Sequence, residues 1–160
     1  VTHNGYALRF NIEEVPVIGA KAAGVKGINL KGDDLVVSAF IANTKSIFIL
    51  TQRGSLKRMS VNDLPLAKRA GRGLQVLREL KAKPHRVFLA GPAFAENGGA
   101  ELDLFATEVE EKQQILQVQS QTGQIDEVNL TNLSLSERTS NGSFISDSIS
   151  DQGVFAAKVK

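Results

Sequence analysis

Cysteine and tryptophan are absent from this 160-residue chain, which has one tyrosine, one methionine and two histidines. Without cysteine there is no disulfide framework and no thiolate metal site, which fits a reducing cytoplasm. His3 and His85 have no second ligand at metal spacing and read as surface or packing residues. No apolar run approaches the roughly 18 residues of a membrane span. No charged-then-apolar leader opens the chain, so nothing points to secretion or to a membrane partner. Val1 is followed almost at once by a strand-like run, as in a piece of a longer protein. Asp33-Asp34, after Gly32, reads as a turn. Glu108, Glu110 and Glu111 read as a solvated strand end. The serines of 134–150 lack the His and Asp context of an activated nucleophile. Gly71 and Gly73 are followed by no helix that would make a phosphate loop. The expectation is a non-catalytic module without cofactor or metal.

What is present is an uneven distribution of charge. The formal net charge is only +2, yet residues 1–92 carry 15 basic and 6 acidic groups, and residues 93–160 carry 4 and 11. Such a split predicts a polyanionic partner for the first part and a solvated face for the rest.

Short β-branched or aliphatic runs are punctuated by Gly, Asn and Asp, the pattern of an all-β fold. Strands are expected at Leu35–Ala42, Ser46–Gln52, Ser55–Val61, Leu74–Leu80, Arg86–Ala90, Leu102–Thr107, Gln114–Gln119, Gln124–Leu130 and Val154–Val159. Tight turns at Asn4-Gly5, Arg53-Gly54 and Thr122-Gly123 place the downstream residues in register. Phe10 and Ile12, Met59 and Val61, and Val128 and Leu130 alternate as on a half-buried strand. Apolar anchors follow at Val15, Leu64 and Leu133. A basic-glycine element follows in turn, at Lys26-Gly27 and then at Lys68-Arg-Ala-Gly-Arg-Gly73. The third copy carries Glu137-Arg-Thr-Ser-Asn-Gly142 instead. The reading is one repeat domain, with units over about 1–48, 49–112 and 113–160. A loop at Gly98-Gly99 accounts for the longer spacing. A unit of about four strands cannot bury both faces alone, so a propeller-like ring is expected.

In Lys68–Gly73, three cations surround small residues that let a backbone come close to a bulky partner. Arg suits bidentate phosphate contact. Base-reading elements are lacking, and so are the aromatic platforms that single strands need. Double-stranded DNA, held by its backbone, is the expected partner. Candidate contacts are Arg9, Lys21, Lys26, Arg53, Lys57, Arg58, Lys68, Arg69 and Arg72. The alternative is an interaction platform for an acidic protein. In the third copy Asp126, Glu127, Glu137 and Asn141 replace Lys57, Arg58, Lys68 and Arg72, which predicts a closing unit turned away from DNA.

Asn4-Gly5-Tyr6-Ala7-Leu8-Arg9-Phe10, Thr51–Arg58 and Arg-Ala-Gly-Arg-Gly73 resemble the C-terminal repeats of bacterial type IIA topoisomerase A subunits. The resemblance covers roughly 1–92 and continues less closely over 113–160. It implies a β-pinwheel of five or six blades, of which about three are present, as the C-terminal portion. It also implies a basic rim that binds and bends duplex DNA and guides the choice of crossings in relaxation and decatenation. The implied partners are the ATPase B subunit and the N-terminal breakage-reunion region of the same polypeptide, in the cytoplasm at the nucleoid. Cleavage chemistry lies in that N-terminal region, and Tyr6 is not the catalytic tyrosine. Gyrase A subunits carry a Gln-Arg-Arg-Gly-Gly-Lys-Gly box. Lys68–Gly73 departs from it by Ala70-Gly71 and lacks the leading Gln, which favours the topoisomerase IV branch.

Overall fold

The computed structural model of the chain describes residues 1–94 and 113–160. Its strands are β1 (Tyr6–Ala7), β2 (Ser46–Thr51), β3 (Ser55–Ser60), β4 (Leu74–Gln75), β5 (Val87–Ala93), β6 (Ile115–Ser120), β7 (Ile125–Asn129), β8 (Ser143–Phe144) and β9 (Val154–Val159). One short helix, α1, spans Asp147–Gln152. Three antiparallel sheets form, in the orders β1-β4, β5-β2-β3-β8 and β7-β6-β9.

Each of the first two sheets is completed by a strand from the next unit. β4 reaches back to β1, with Tyr6 opposite Gln75, and β8 reaches back to β3 in the same register, with Ser55 opposite Phe144. The isolated parallel bridges Arg9–Leu66 and Arg58–Leu135 repeat the same crossing. Neighbouring blades are therefore interlocked rather than merely stacked, and the sheets cross the repeat boundaries read from sequence. Gly73 and Gly142 make the exchange sterically feasible, with φ of +82° and +75°. A Cβ at either would run into a carbonyl oxygen, that of Ala7 or that of Leu56. The matching glycine in the first blade is Gly24, with φ of +84°. The first basic-glycine element was expected at Lys26-Gly27; the backbone geometry moves the equivalence to Gly24.

The middle blade is buried on both faces, and that explains the unbroken apolar run of β2. Ile47 and Ile49 join Met59, Val61, Leu64, Val76 and Val87 in one core against the first blade. Phe48 and Leu50, on the opposite pleat, join Leu116, Val118, Leu130 and Ile149 in a second core against the third. Pro92 is accommodated because β5 is the sheet edge, where a missing N–H costs no ladder bond.

Several expected elements differ. Leu35–Ala42 is not a strand: its counterpart β5 pairs along the whole of β2, whereas here Val1–His3 supply only the Thr2–Val36 bridge and bonds from Val37 and Ser38 to Val1. The expected strand Leu74–Leu80 stops at Gln75, after which Val76 and Leu77 turn into the core. α1 was not anticipated. Ser146 Oγ accepts from Ile149 N, Gly153 ends the helix at φ of +80°, and Ile149 is its one buried residue, too little to show a helical period. The expected strand Leu102–Thr107, Gly98-Gly99 and Glu108, Glu110 and Glu111 lie outside the described residues.

Candidate nucleic-acid interface

The basic loop Lys68–Gly73 is held from within by one of its own arginines. Arg69 donates from its backbone N to Glu14 Oε2 at 2.8 Å, from Nε to the Glu14 carbonyl at 2.9 Å and from NH1 to the Lys26 carbonyl at 2.5 Å. Ala70 N donates to the Gly27 carbonyl and Asn29 N to that of Gly71, so segment 26–29 runs beside the loop. Ala70 itself stands at φ of +63°, a left-handed conformation that marks how tightly the loop turns. Lys68 and Arg72 project from this frame into solvent, and Lys21 and Lys26 are exposed alongside.

Arg72 is directed by the preceding blade. Its NH2 donates to Tyr6 Oη at 2.9 Å, and its guanidinium carbon lies 4.6 Å from the Tyr6 ring centroid. Stacking on a ring face orients the guanidinium while leaving its other N–H groups free. Arg72, Tyr6 and Asn29 line a notch of about 60 Å³ together with Lys31 and Asp34. Asp34 Oδ1 already accepts from Asn4 N and Leu35 N, each at 2.9 Å. Sequence reasoning missed Lys31, since Lys31-Gly32-Asp33-Asp34 registered only as a turn. It also missed that Tyr6 orients Arg72.

Five of the nine candidates are engaged in the protein instead. Lys57 is only 2% exposed. Its Nζ donates to the carbonyls of Val76 (2.5 Å), Arg138 (2.6 Å) and Ser140 (2.8 Å), with Glu137 at 3.4 Å. Burial pushes this ammonium down to about 8, the Arg138 guanidinium adds to the shift and Asp63 opposes it. It is a cross-blade lock rather than a rim cation. Arg9 and Arg58 were placed on the DNA face because they alternate with the apolar residues of their strands. That opposite face is covered by the next blade. Arg9 NH1 donates to the carbonyls of Val61 and Leu64, and Arg58 NH1 to those of Leu130 and Thr131. Arg69 shapes the loop, as described. Arg53 donates to the Lys83 carbonyl at 2.9 Å, contacts His85 Nε2 at 3.1 Å and lies over the Phe144 ring. His85 is buried there, hydrogen-bonded through Nδ1 to Thr51 Oγ1; burial lowers its pKa below the usual imidazole value and Arg53 lowers it further.

The next seam repeats the geometry with different chemistry. Asn141 stands where Arg72 stands, and its Oδ1 accepts from Arg78 N at 2.8 Å. A wider cavity of about 390 Å³ is lined there by Arg78, Ser136, Glu137, Ser140 and Asn141. The strip of exposed cations therefore belongs to the seam between the first and second blades. Among the described residues there is no group of three or more His, Cys, Asp or Glu placed to hold a metal, and no helix long and apolar enough to cross a membrane.

Residues 1–43 and 45–90, more than half of the chain, match the model of a family described as "DNA gyrase C-terminal domain, beta-propeller". The chain belongs to this family. It is 61% identical over its whole length to the A subunit of DNA topoisomerase 4 from Streptococcus pyogenes serotype M3, covering 20% of that protein. Over 98% of its length it is 66% identical to the counterpart from Streptococcus pneumoniae serotype 4, covering 19% of it. It therefore spans about a fifth of these relatives. The crystal structure of the C-terminal domain of DNA topoisomerase IV superposes with a TM-score of 0.79 at 36% identity, over 99% of this chain and 45% of that one. The gyrase A C-terminal domain gives 0.73 at 17% identity, over 99% of this chain and 48% of that one, which shows a shared fold. Within the family the chain is more similar to the topoisomerase IV domain, as the departures in Lys68–Gly73 suggested.

Proposed function

We propose that the chain is a non-catalytic duplex-DNA-binding and DNA-bending module of the A subunit in a type IIA topoisomerase. In that reading it guides which crossings are relaxed or decatenated, beside the ATPase B subunit and the N-terminal breakage-reunion region of its own polypeptide. The observation that carries the reading is the loop Lys68–Gly73. Arg69 fixes it to the first blade, so that Lys68, Arg72 and the neighbouring Lys26 and Lys31 are presented outward along one seam. A fixed frame with free cations suits phosphate oxygens, and nothing in it reads base edges. Bending a site of 20–30 base pairs by 40–90° costs about 1–6 kcal/mol, which such phosphate contacts must offset.

The test is binding of a labelled random-sequence duplex, with unlabelled duplex or polyglutamate as competitor. The expected affinity is nonspecific, about 10⁻⁴ to 10⁻⁶ M at physiological salt, and falls steeply as salt rises. Duplex DNA displaces the label and polyglutamate of equal charge does so poorly. Equal competition by polyglutamate would favour an acidic protein partner, and strong preference for one short sequence would overturn backbone recognition.

A further inference from the structure

Both seams of the chain are closed by an arginine at the same repeat position. Arg9 NH1 reaches the carbonyls of Val61 (3.4 Å) and Leu64 (3.3 Å) in the second blade. Arg58 NH1 reaches those of Leu130 (3.4 Å) and Thr131 (2.8 Å) in the third. The preceding residue also faces the next blade. Leu8 lies over the loop at Gly71, and Lys57 binds the carbonyls of the corresponding loop at Arg138 and Ser140.

In the third blade these two positions are Asp126 and Glu127, and both are turned to their own blade. Asp126 Oδ2 accepts from Ser146 Oγ at 2.8 Å. Glu127 Oε1 accepts from Gln117 Nε2 at 3.0 Å and pairs with Lys160 at 2.5 Å. Among the described residues β7 pairs only with β6, so its other edge is unpaired. The first blade holds the matching piece. Gly24-Val25-Lys26 corresponds to Gly73-Leu74-Gln75 and Gly142-Ser143-Phe144, yet Val25-Lys26 enters no sheet among the described residues.

We propose that Asp126 and Glu127 form a stop that makes the β7 surface reject a further blade of this kind, including the first blade of a second copy. A blade docking there in the register of the other seams would place two backbone carbonyl oxygens against the Glu127 carboxylate, where the other seams place a guanidinium. An unpaired carboxylate taken out of water against carbonyl dipoles is strongly unfavourable. The first blade of a second copy would also bring Glu13 and Glu14, from the turn that corresponds to Val61–Asp63, towards the same acids. Head-to-tail joining of this type does not close and leads to open assemblies, the outcome the two acids prevent. The inference is independent of DNA binding.

The test converts the third blade to the pattern of the first with Asp126→Leu and Glu127→Arg, which recreates Leu8-Arg9. Sedimentation velocity and light scattering then follow mass against concentration. The unaltered chain is expected to stay at 17.2 kDa. The double variant is expected at least to double its weight-average mass as concentration rises. Adding Gly24→Val should return it to monomer, because the exchanged segment then lacks its left-handed glycine. If the double variant fails to fold, Glu127→Arg alone serves with the same readout, since the Glu127 side chain is 49% exposed. A folded variant that stays monomeric overturns the proposal. So does an unaltered chain that self-associates, or association that persists with Gly24→Val.

Discussion

Lys57 of the second blade donates from Nζ to the carbonyl oxygen of Arg138 in the third, 2.6 Å away and out of contact with water. The same amine holds Val76 and Ser140, so one cation satisfies carbonyls in both blades. Lys57→Met keeps the stem but leaves those oxygens without a donor. A loss of about 2–4 kcal/mol is expected from the cost of buried unsatisfied acceptors. Urea denaturation measures it, and the affinity of the folded variant for DNA should be little changed.

Gly142→Ala tests the strand exchange. The new Cβ meets the Leu56 carbonyl while the backbone is held at φ of +75°. A left-handed conformation costs a residue with a side chain about 1–3 kcal/mol even without a clash. The expected result is a lower midpoint in denaturant and faster amide exchange in β3 and β8.

His85 makes stability depend on mildly acid pH. Its pKa in the fold lies below the value of about 6.5 that it has in the unfolded chain. As pH falls below 6.5 the unfolded chain takes up the proton first, so stability falls towards the folded pKa; above 6.5 the contribution is fully present. The melting temperature should drop between pH 6.5 and 5 by more in the unaltered chain than in His85→Gln. Equal slopes would show that His85 does not set this dependence.

The acids of the third blade are not expected to oppose DNA. Neutralising Glu127 and Glu137 as Gln should leave affinity for duplex DNA nearly unchanged across salt. A gain as large as the loss caused by Arg72→Ala would mean that the DNA path crosses the third blade.

The turns at Asn4-Gly5, Arg53-Gly54 and Thr122-Gly123 made the repeat legible, because a left-handed glycine after a polar residue leaves a local signature. The direction of side chains between blades was not legible. Arg58 alternates with Met59 like any solvated residue on a half-buried strand, and only the strand exchange reveals that its face is covered. Lys57 reads as a surface charge in any composition-based reckoning; burial became favourable through carbonyls far along the chain, at Val76 and in Glu137–Ser140. Lys68 and Arg72 were legible as exposed cations because the small residues Ala70, Gly71 and Gly73 offer no cover. Lys31 was hidden by the turn residues after it.

The most direct test of the account compares Arg72→Ala with Arg58→Ala over a salt series, on duplex DNA of random sequence. Arg72 is exposed beside Tyr6, whereas Arg58 is spent on the carbonyls of Leu130 and Thr131. Arg72→Ala is predicted to weaken binding uniformly across sequences and to reduce the slope of log affinity against log salt by roughly one. Arg58→Ala is predicted to lower stability while leaving the slope of the folded protein unchanged. Loss of slope in Arg58→Ala with none in Arg72→Ala would contradict the assignment of the DNA-facing surface.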